Sequence, residues 1–186
     1  MEKRNLICYL QEIPEFRRRA GLRHPLSSVL LIVIMAKMSG CHSFRSMGDF
    51  VERHRVALAA YFQPKNDRLP SFLTIRKVLQ GLDFRLLFDA FHQWAAQYID
   101  PESLIHIDGK SIRSTVSNYD NAQPDFTALV SAYCSQSGQV IAAQAYQNAT
   151  ESEVNVGQNL LKQLNMSGQT YSFDALHCKK NASINR

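Results

Sequence analysis

The spacing of hydrophobic positions changes near residue 100. Before it, apolar residues recur with helical period. Pro25 suits the first turn of a helix through LSSVLLIVIMAKM, residues 26–38, because a first turn leaves its N–H positions unbonded anyway, and Ser39-Gly40 ends that helix. A second helix follows Ser43 through FRSMGDFVERHRVALAAYF, residues 44–62, with Phe44, Met47, Phe50, Val51, Val56, Leu58 and Phe62 as its apolar stripe. QPKNDRLP, 63–70, reads as a loop. It is longer than the roughly 3–4-residue turn of a helix-turn-helix, so that motif is not read here. Ser71 caps FLTIRKVLQGL, 72–82, and FRLLFDAFHQWAAQYI, 84–99, makes a fourth helix. Phe84, Leu87, Phe88, Phe91, Trp94 and Ala95 share one side of it, as a core stripe does.

From Ser103 the pattern becomes that of strands. SLIHID is short, apolar and β-prone, and FTALVSAYCS and QVIAAQAYQ form a hairpin across Gln136-Ser137-Gly138. Thr150 or Ser152 can cap a helix through VNVGQNLLKQLNM that stops near Gly168, and QTYSFDAL makes a further strand. The predicted class is therefore α+β: an all-helical domain over 1–100, then strand, strand, strand, helix, strand over 101–186. There is no internal repeat and no low-complexity segment.

Composition adds limits rather than a function. The 186 residues are 45% hydrophobic and 20% charged, which fits one medium domain or two small ones and does not indicate disorder. The longest apolar run, Val29 to Ala36, falls far below the roughly 20 residues that span a bilayer. The opening MEKRNLICYLQEIPEFRRR lacks the apolar core of a secretory signal, so the cytoplasm is the expected compartment. Cys8, Cys41, Cys134 and Cys178 lack metal-ligand spacing and suggest reduced thiols.

Charge is unevenly divided. Residues 1–100 hold 15 Lys and Arg against 9 Asp and Glu, a net of +6, whereas residues 101–186 hold 6 against 7, a net of −1. The densest basic patch is FRRRAGLRH, with Arg17, Arg18, Arg19, Arg23 and His24. A solvated basic face and a phosphate-contacting surface both account for it.

Two aspartates follow apolar strands, Asp108 in LIHID and Asp174 in YSFD. Asp108-Gly109 is also what a tight turn uses, since glycine supplies positive φ. Were the first and last strands neighbours, the two carboxylates would lie side by side and repel unless they shared a proton or a divalent cation. Magnesium or manganese held that way activates a water or a hydroxyl against a phosphodiester, with paired ions roughly 3.5–4 Å apart. Residue spacing leaves the metal pair and two turn or cap aspartates both open.

EIPEFRRRAGLRHPLSSVLLIVIMAKMSGCHSFRSMGDFVERHR, LPSFLTIRKVLQGLD, IDGKSIRST, LVSAYCSQSGQVIAAQAYQNATESEV and YSFDALHCKK occur in this order. Together they resemble the H-repeat-associated group of insertion-sequence transposases over nearly the whole chain. The resemblance implies a helical associated domain, then a ribonuclease H-like α/β catalytic domain with an Asp, Asp, Glu triad acting on DNA at insertion-sequence ends. It implies Asp108 and Asp174 as catalytic carboxylates and ligands of Mg²⁺ or Mn²⁺. Lys110 and Arg113 are then expected near substrate phosphates, although exposed basic turn residues are an equal reading. Glu153 matches an often acidic position, and a helix N-terminus favours a carboxylate through its dipole alone. His177 and Cys178 read as ordinary loop or helix-start residues, having no third ligand at metal spacing.

The triad's glutamate has no counterpart among the residues after Asp174. That suggests a partial ribonuclease H-like domain, from a truncated, inactive copy or from one piece of a longer product. Three functions follow: a metal-dependent transposase-family protein, a non-catalytic DNA-binding remnant using the basic half, or a module that docks on a full-length copy or forms a homo-oligomer.

Overall fold

The longest apolar stretch forms the helix around which the first half of the chain is built. The computed structural model describes residues 3–18, 22–100, 102–116, 125–164 and 168–173. Two compact units result, Met1–Ala90 and Phe91–Arg186, with the division inside a helix.

In the first unit, α1 (Leu6–Gln11) precedes α2 (Leu26–Met38), α3 (Phe44–Arg53), α4 (Arg55–Phe62) and α5 (Phe72–Gly81). Because α2 is apolar on every side, it needs neighbours all round. It packs against α1, α3 and α5, burying Leu26, Val29, Leu30, Ile32, Val33 and Ala36. Each fully buried aliphatic side chain contributes about 1.5–3 kcal/mol relative to exposure. Leu10, Met47, Val51, Ile75 and Val78 complete this core. The six-residue α1 gives no readable period in the sequence and was not anticipated there.

The single helix expected over 44–62 is two. His54, at φ −102° and ψ 17°, ends α3 and begins α4. Its N–H still donates to the Phe50 carbonyl at 3.0 Å and its carbonyl accepts from Leu58 at 2.9 Å. His54 thus keeps both of its own backbone hydrogen bonds through the turn, and no Pro or Gly marks the place. One consequence is that Val56, counted in the stripe, is 84% exposed. Ser43 closes a reciprocal capping box with Ser46 at the start of α3, and Ser71 accepts from the Thr74 N–H at the start of α5, as expected of it.

The segment before α2 is held by Arg17. Its Nε and Nη2 donate to the Glu15 carboxylate at 2.7 and 2.6 Å, and Nη2 also donates to the His24 carbonyl at 2.9 Å. Helix α6 (Phe84–Ala96) crosses the division between the units. Phe84, expected in its core stripe, is 47% exposed, while Ala90 and Ala95 are buried.

In the second unit, β1 (Leu104–Ser111), β2 (Thr127–Cys134) and β3 (Gln139–Gln147) precede α7 (Glu153–Leu164) and β4 (Thr170–Phe173). The sheet order is β3-β2-β1-β4, with β1 antiparallel to β2, β2 antiparallel to β3, and β4 parallel to β1. Residues alternate across the sheet. One face carries Ile105, Ile107, Ala128, Val130, Ala132, Ile141 and Tyr146, buried with Val156, Leu160 and Leu164 of α7. The small Ala128 and Ala132 leave room above β2 for the side chains of α7. Of the two expected caps for α7, Ser152 serves, accepting from the Asn155 N–H at 3.3 Å. Gly138, at φ +67°, makes the β2–β3 turn.

The mixture of helix and sheet is α+β. Asp108-Gly109 is not a turn, because β1 continues through Ser111 and pairs Asp108 with Ser131 and Gly109 with Val130.

Helices α3 and α5 meet at Gly48, where a Cβ would lie 2.9 Å from Phe72 Cβ, at the root of that side chain. We expect Gly48→Val to lower unfolding free energy by about 1–3 kcal/mol in urea titrations, through overpacking. Arg17→Met should cost about 1–2 kcal/mol, from the lost charge-assisted hydrogen bonds. The Arg17 hydrogen bond holds the Glu15 carboxyl below its ordinary value of 4.5, against a smaller opposing effect of burial. This contribution is therefore complete above pH 4.5 and lost as pH falls through the lowered folded value. Thermal melts from pH 7 to 3 should show a shallower acid-side loss in Arg17→Met than in the wild type.

Candidate functional site

The position of Asp108 follows from the strands on both sides of it. Burial of Ile105 and Ile107 against α7 turns the intervening His106 and the next residue, Asp108, to the opposite face of the sheet. Asp108 is exposed there, beside Ser131 on β2. Lys110, two residues on, shares that face and is exposed. On the other edge of β1, the parallel pairing with β4 runs from Leu104 opposite Thr170 to Ile107 opposite Phe173. The next residues in sequence are Asp108 and Asp174. Asp174, with His177 and Cys178, lies outside the described residues. Arg113 belongs to the 3-10 turn Arg113–Thr115 that follows β1.

Glu153 is on the α7 side. It opens that helix, and its carboxylate lies so close over Gly109 that a Cβ on that glycine would collide with it. The structure therefore brings Glu153 to β1 but sets it on the face opposite Asp108. Gly109, Ser111, Tyr146, Thr150 and Glu153 line a cavity of about 520 Å³ at this end of α7. Burial, and then the nearby Glu153 charge, push the Tyr146 hydroxyl above its ordinary range. Among the described residues no three His, Cys, Asp or Glu side chains converge as a metal cluster.

The basic residues of the first unit have different fates. Arg19 lies outside the described residues. Arg17 is committed to Glu15 and His24, with its side chain 12% exposed. Arg18 and Arg23 are exposed and line a cavity of about 840 Å³, which Arg17 and His24 also reach. Three further cations complete its wall: Arg55 of α4, Arg68 of the loop before α5, and Lys77 of α5. The sequence alone does not single out these three, because they lie 30 or more residues from the arginine run. Only the packing of α3 against α5 and α4 brings them to the arginine run. Burial, then Arg17 and Arg23, hold the His24 imidazole below the ordinary histidine range.

A family model described as DDE_Tnp_1-associated matches residues 7–95. The H repeat-associated putative transposase YbfD of Escherichia coli (strain K12) is 28% identical over 182 residues, covering 97% of this chain and 70% of YbfD. YhhI of the same strain, with the same description, is 27% identical over 97% of this chain and 47% of its own length. The inactive transposase YbfQ, also of that strain, is 32% identical over 79 residues, which is 42% of this chain and 93% of YbfQ. The chain thus spans about half the length of YhhI, and no solved structure matches it. No helix among the described residues is long and apolar enough to cross a membrane. By these matches the chain belongs to the H-repeat-associated transposase family, and its helical unit carries that family's DDE_Tnp_1-associated region.

Proposed function

We propose that the second unit is ribonuclease H-like and that Asp108 and Asp174 hold a divalent cation, Mg²⁺ or Mn²⁺, for cleavage and transfer of DNA strands at insertion-sequence ends. The observation that carries this reading is the parallel register of β1 and β4. Ile107 lies opposite Phe173, and Asp108 and Asp174 are the residues that follow these two in the sequence. Adjacent strands lie about 4.8 Å apart. Two carboxylates carried on neighbouring strands would supply the hard oxygen donors that such cations prefer. Three antiparallel strands, a helix and a fourth strand parallel to the first also support the ribonuclease H-like assignment.

The site chemistry divides by residue. Asp108 sits on a strand hydrogen-bonded along β2, so its carboxylate is carried by a rigid element rather than a loop. Lys110, on the same face and roughly 7 Å further along the strand, is placed to offset phosphate charge. When bound, the cation polarises a phosphodiester oxygen and lowers the pKa of an attacking water or hydroxyl. Glu153, across the sheet, anchors α7 over Gly109 and takes no part in holding the ion.

We expect isothermal titration calorimetry to detect Mn²⁺ binding by this chain, with affinity falling at least about tenfold in both Asp108→Asn and Asp174→Asn. Any Mn²⁺-dependent nicking of supercoiled plasmid should fall by about a hundredfold or more in the same variants. Equal Mn²⁺ affinity in all three proteins would refute the assignment.

A further inference from the structure

The cationic cavity of the helical unit is a built site that the metal-dependent reading leaves without a role. Six of its twelve lining residues are Arg or Lys, and one, Glu52, is acidic. Glu52 approaches Arg55 only to 3.9 Å, with both side chains largely exposed, so it offsets little of the charge. Like charges gathered on one concave wall repel one another and raise the local concentration of anions. The N-terminus of the ten-residue α5 also borders the cavity through Ser71 and Thr74, with no acidic residue in its first turn. Its dipole therefore adds to the positive potential.

Two observations indicate what this charge is for. Arg17 Nη1 is buried with no hydrogen-bond partner among the described residues, although the other guanidinium nitrogens are tied to Glu15 and His24. A buried donor in that state costs free energy unless an acceptor enters beside it. The cations around it, Arg18, Arg23, Arg55, Arg68 and Lys77, are all exposed. A site for a small anion buries its ligand among its cations, whereas exposed cations ringing an open cavity suit a chain of phosphates that passes across it.

We propose that this cavity grips the phosphate backbone of DNA, with Arg18, Arg23, Arg55, Arg68 and Lys77 as contacts and Arg17 as the scaffold that ties Glu15 to His24 in the segment before α2. The inference rests on the reading that the chain acts on DNA but is independent of the aspartate pair. It reassigns part of the arginine run, because the residue most enclosed, Arg17, positions the others.

The test is fluorescence anisotropy of a labelled duplex with the full chain, titrated with salt. Each lost phosphate contact flattens the slope of log affinity against log salt by about 0.9. The triple variant Arg55→Ala, Arg68→Ala, Lys77→Ala should therefore flatten it by about 2–3 and weaken binding more than tenfold at low salt. Lys37→Ala, Arg45→Ala, Arg76→Ala removes the same charge outside the cavity, and its slope should change by less than one. All six side chains are exposed, and a urea midpoint for each triple checks that the fold is kept. Equal effects of the two triples, or no effect of the first, would overturn the proposal, as would absence of duplex binding by the wild type. Saturable binding of pyrophosphate without DNA binding would also overturn it and give the cavity to a small phosphoester. The triple variant Arg55→Ala, Arg68→Ala, Lys77→Ala should keep the wild-type response to Mn²⁺ in calorimetry, so failure of the cavity and failure of the metal site are read separately.

Discussion

Strand β1 is hydrogen-bonded on both edges, to β2 along its whole length and to β4 over its first half, and the second unit depends on that double pairing. A strand held this way cannot slip by one residue without moving Ile105 and Ile107 out of the core under α7. The same constraint fixes Asp108 and Lys110 on the opposite face. It also separates Asp108 from Glu153, although Glu153 rests on the very next residue of β1. A glycine at that residue is required by packing rather than by backbone conformation. Gly109 lies in regular strand, and what it provides is room for the Glu153 carboxylate.

The helical unit solves a different problem. Its central helix is apolar all round, so α1, α3 and α5 must surround it, and the polar side chains are displaced to the outer surfaces. Basic residues from four stretches of chain then meet around one cavity. Arg17 bonds both Glu15 and His24, residues that flank Arg18 and Arg23 in the sequence. The depressed His24 imidazole is a consequence of the same crowding, because burial and two guanidinium groups both disfavour its charged form.

These two units give the family membership a physical content. The DDE_Tnp_1-associated match, residues 7–95, covers the helices that build the cationic cavity. The sheet that carries Asp108 follows it, in a chain that aligns over 97% of its length with YhhI and YbfD. Binding of a polyanion needs convergent, exposed positive charge, while phosphoryl transfer needs hard oxygen ligands on a rigid strand. On the proposed reading these lie in separate units, and the net charge of +6 over residues 1–100 against −1 over residues 101–186 runs in the same direction.

Much of this was legible in the residues. The apolar run of α2, the Ser43 and Ser71 caps, the β2–β3 hairpin and the strand, helix, strand order each arise from local periodicity or turn chemistry, which neighbouring residues determine. Short or subtle features were not legible. Helix α1 has too few residues for a period, and the break at His54 carries no Pro or Gly, so nothing in composition marks it. The sequence also left Asp108-Gly109 open between turn and strand, because both conformations accept that pair. Pairing with β2 decided for strand, and hydrogen bonds to a partner twenty or more residues away are beyond any local pattern. The cavity is the clearest case: the arginine run was visible by itself, but Arg55, Arg68 and Lys77 join it only through helix packing. By itself, then, the sequence determined the elements and the family, since these reside in neighbouring residues. Tertiary structure decided which face each carboxylate occupies and which cations converge, because both depend on contacts between distant parts of the chain.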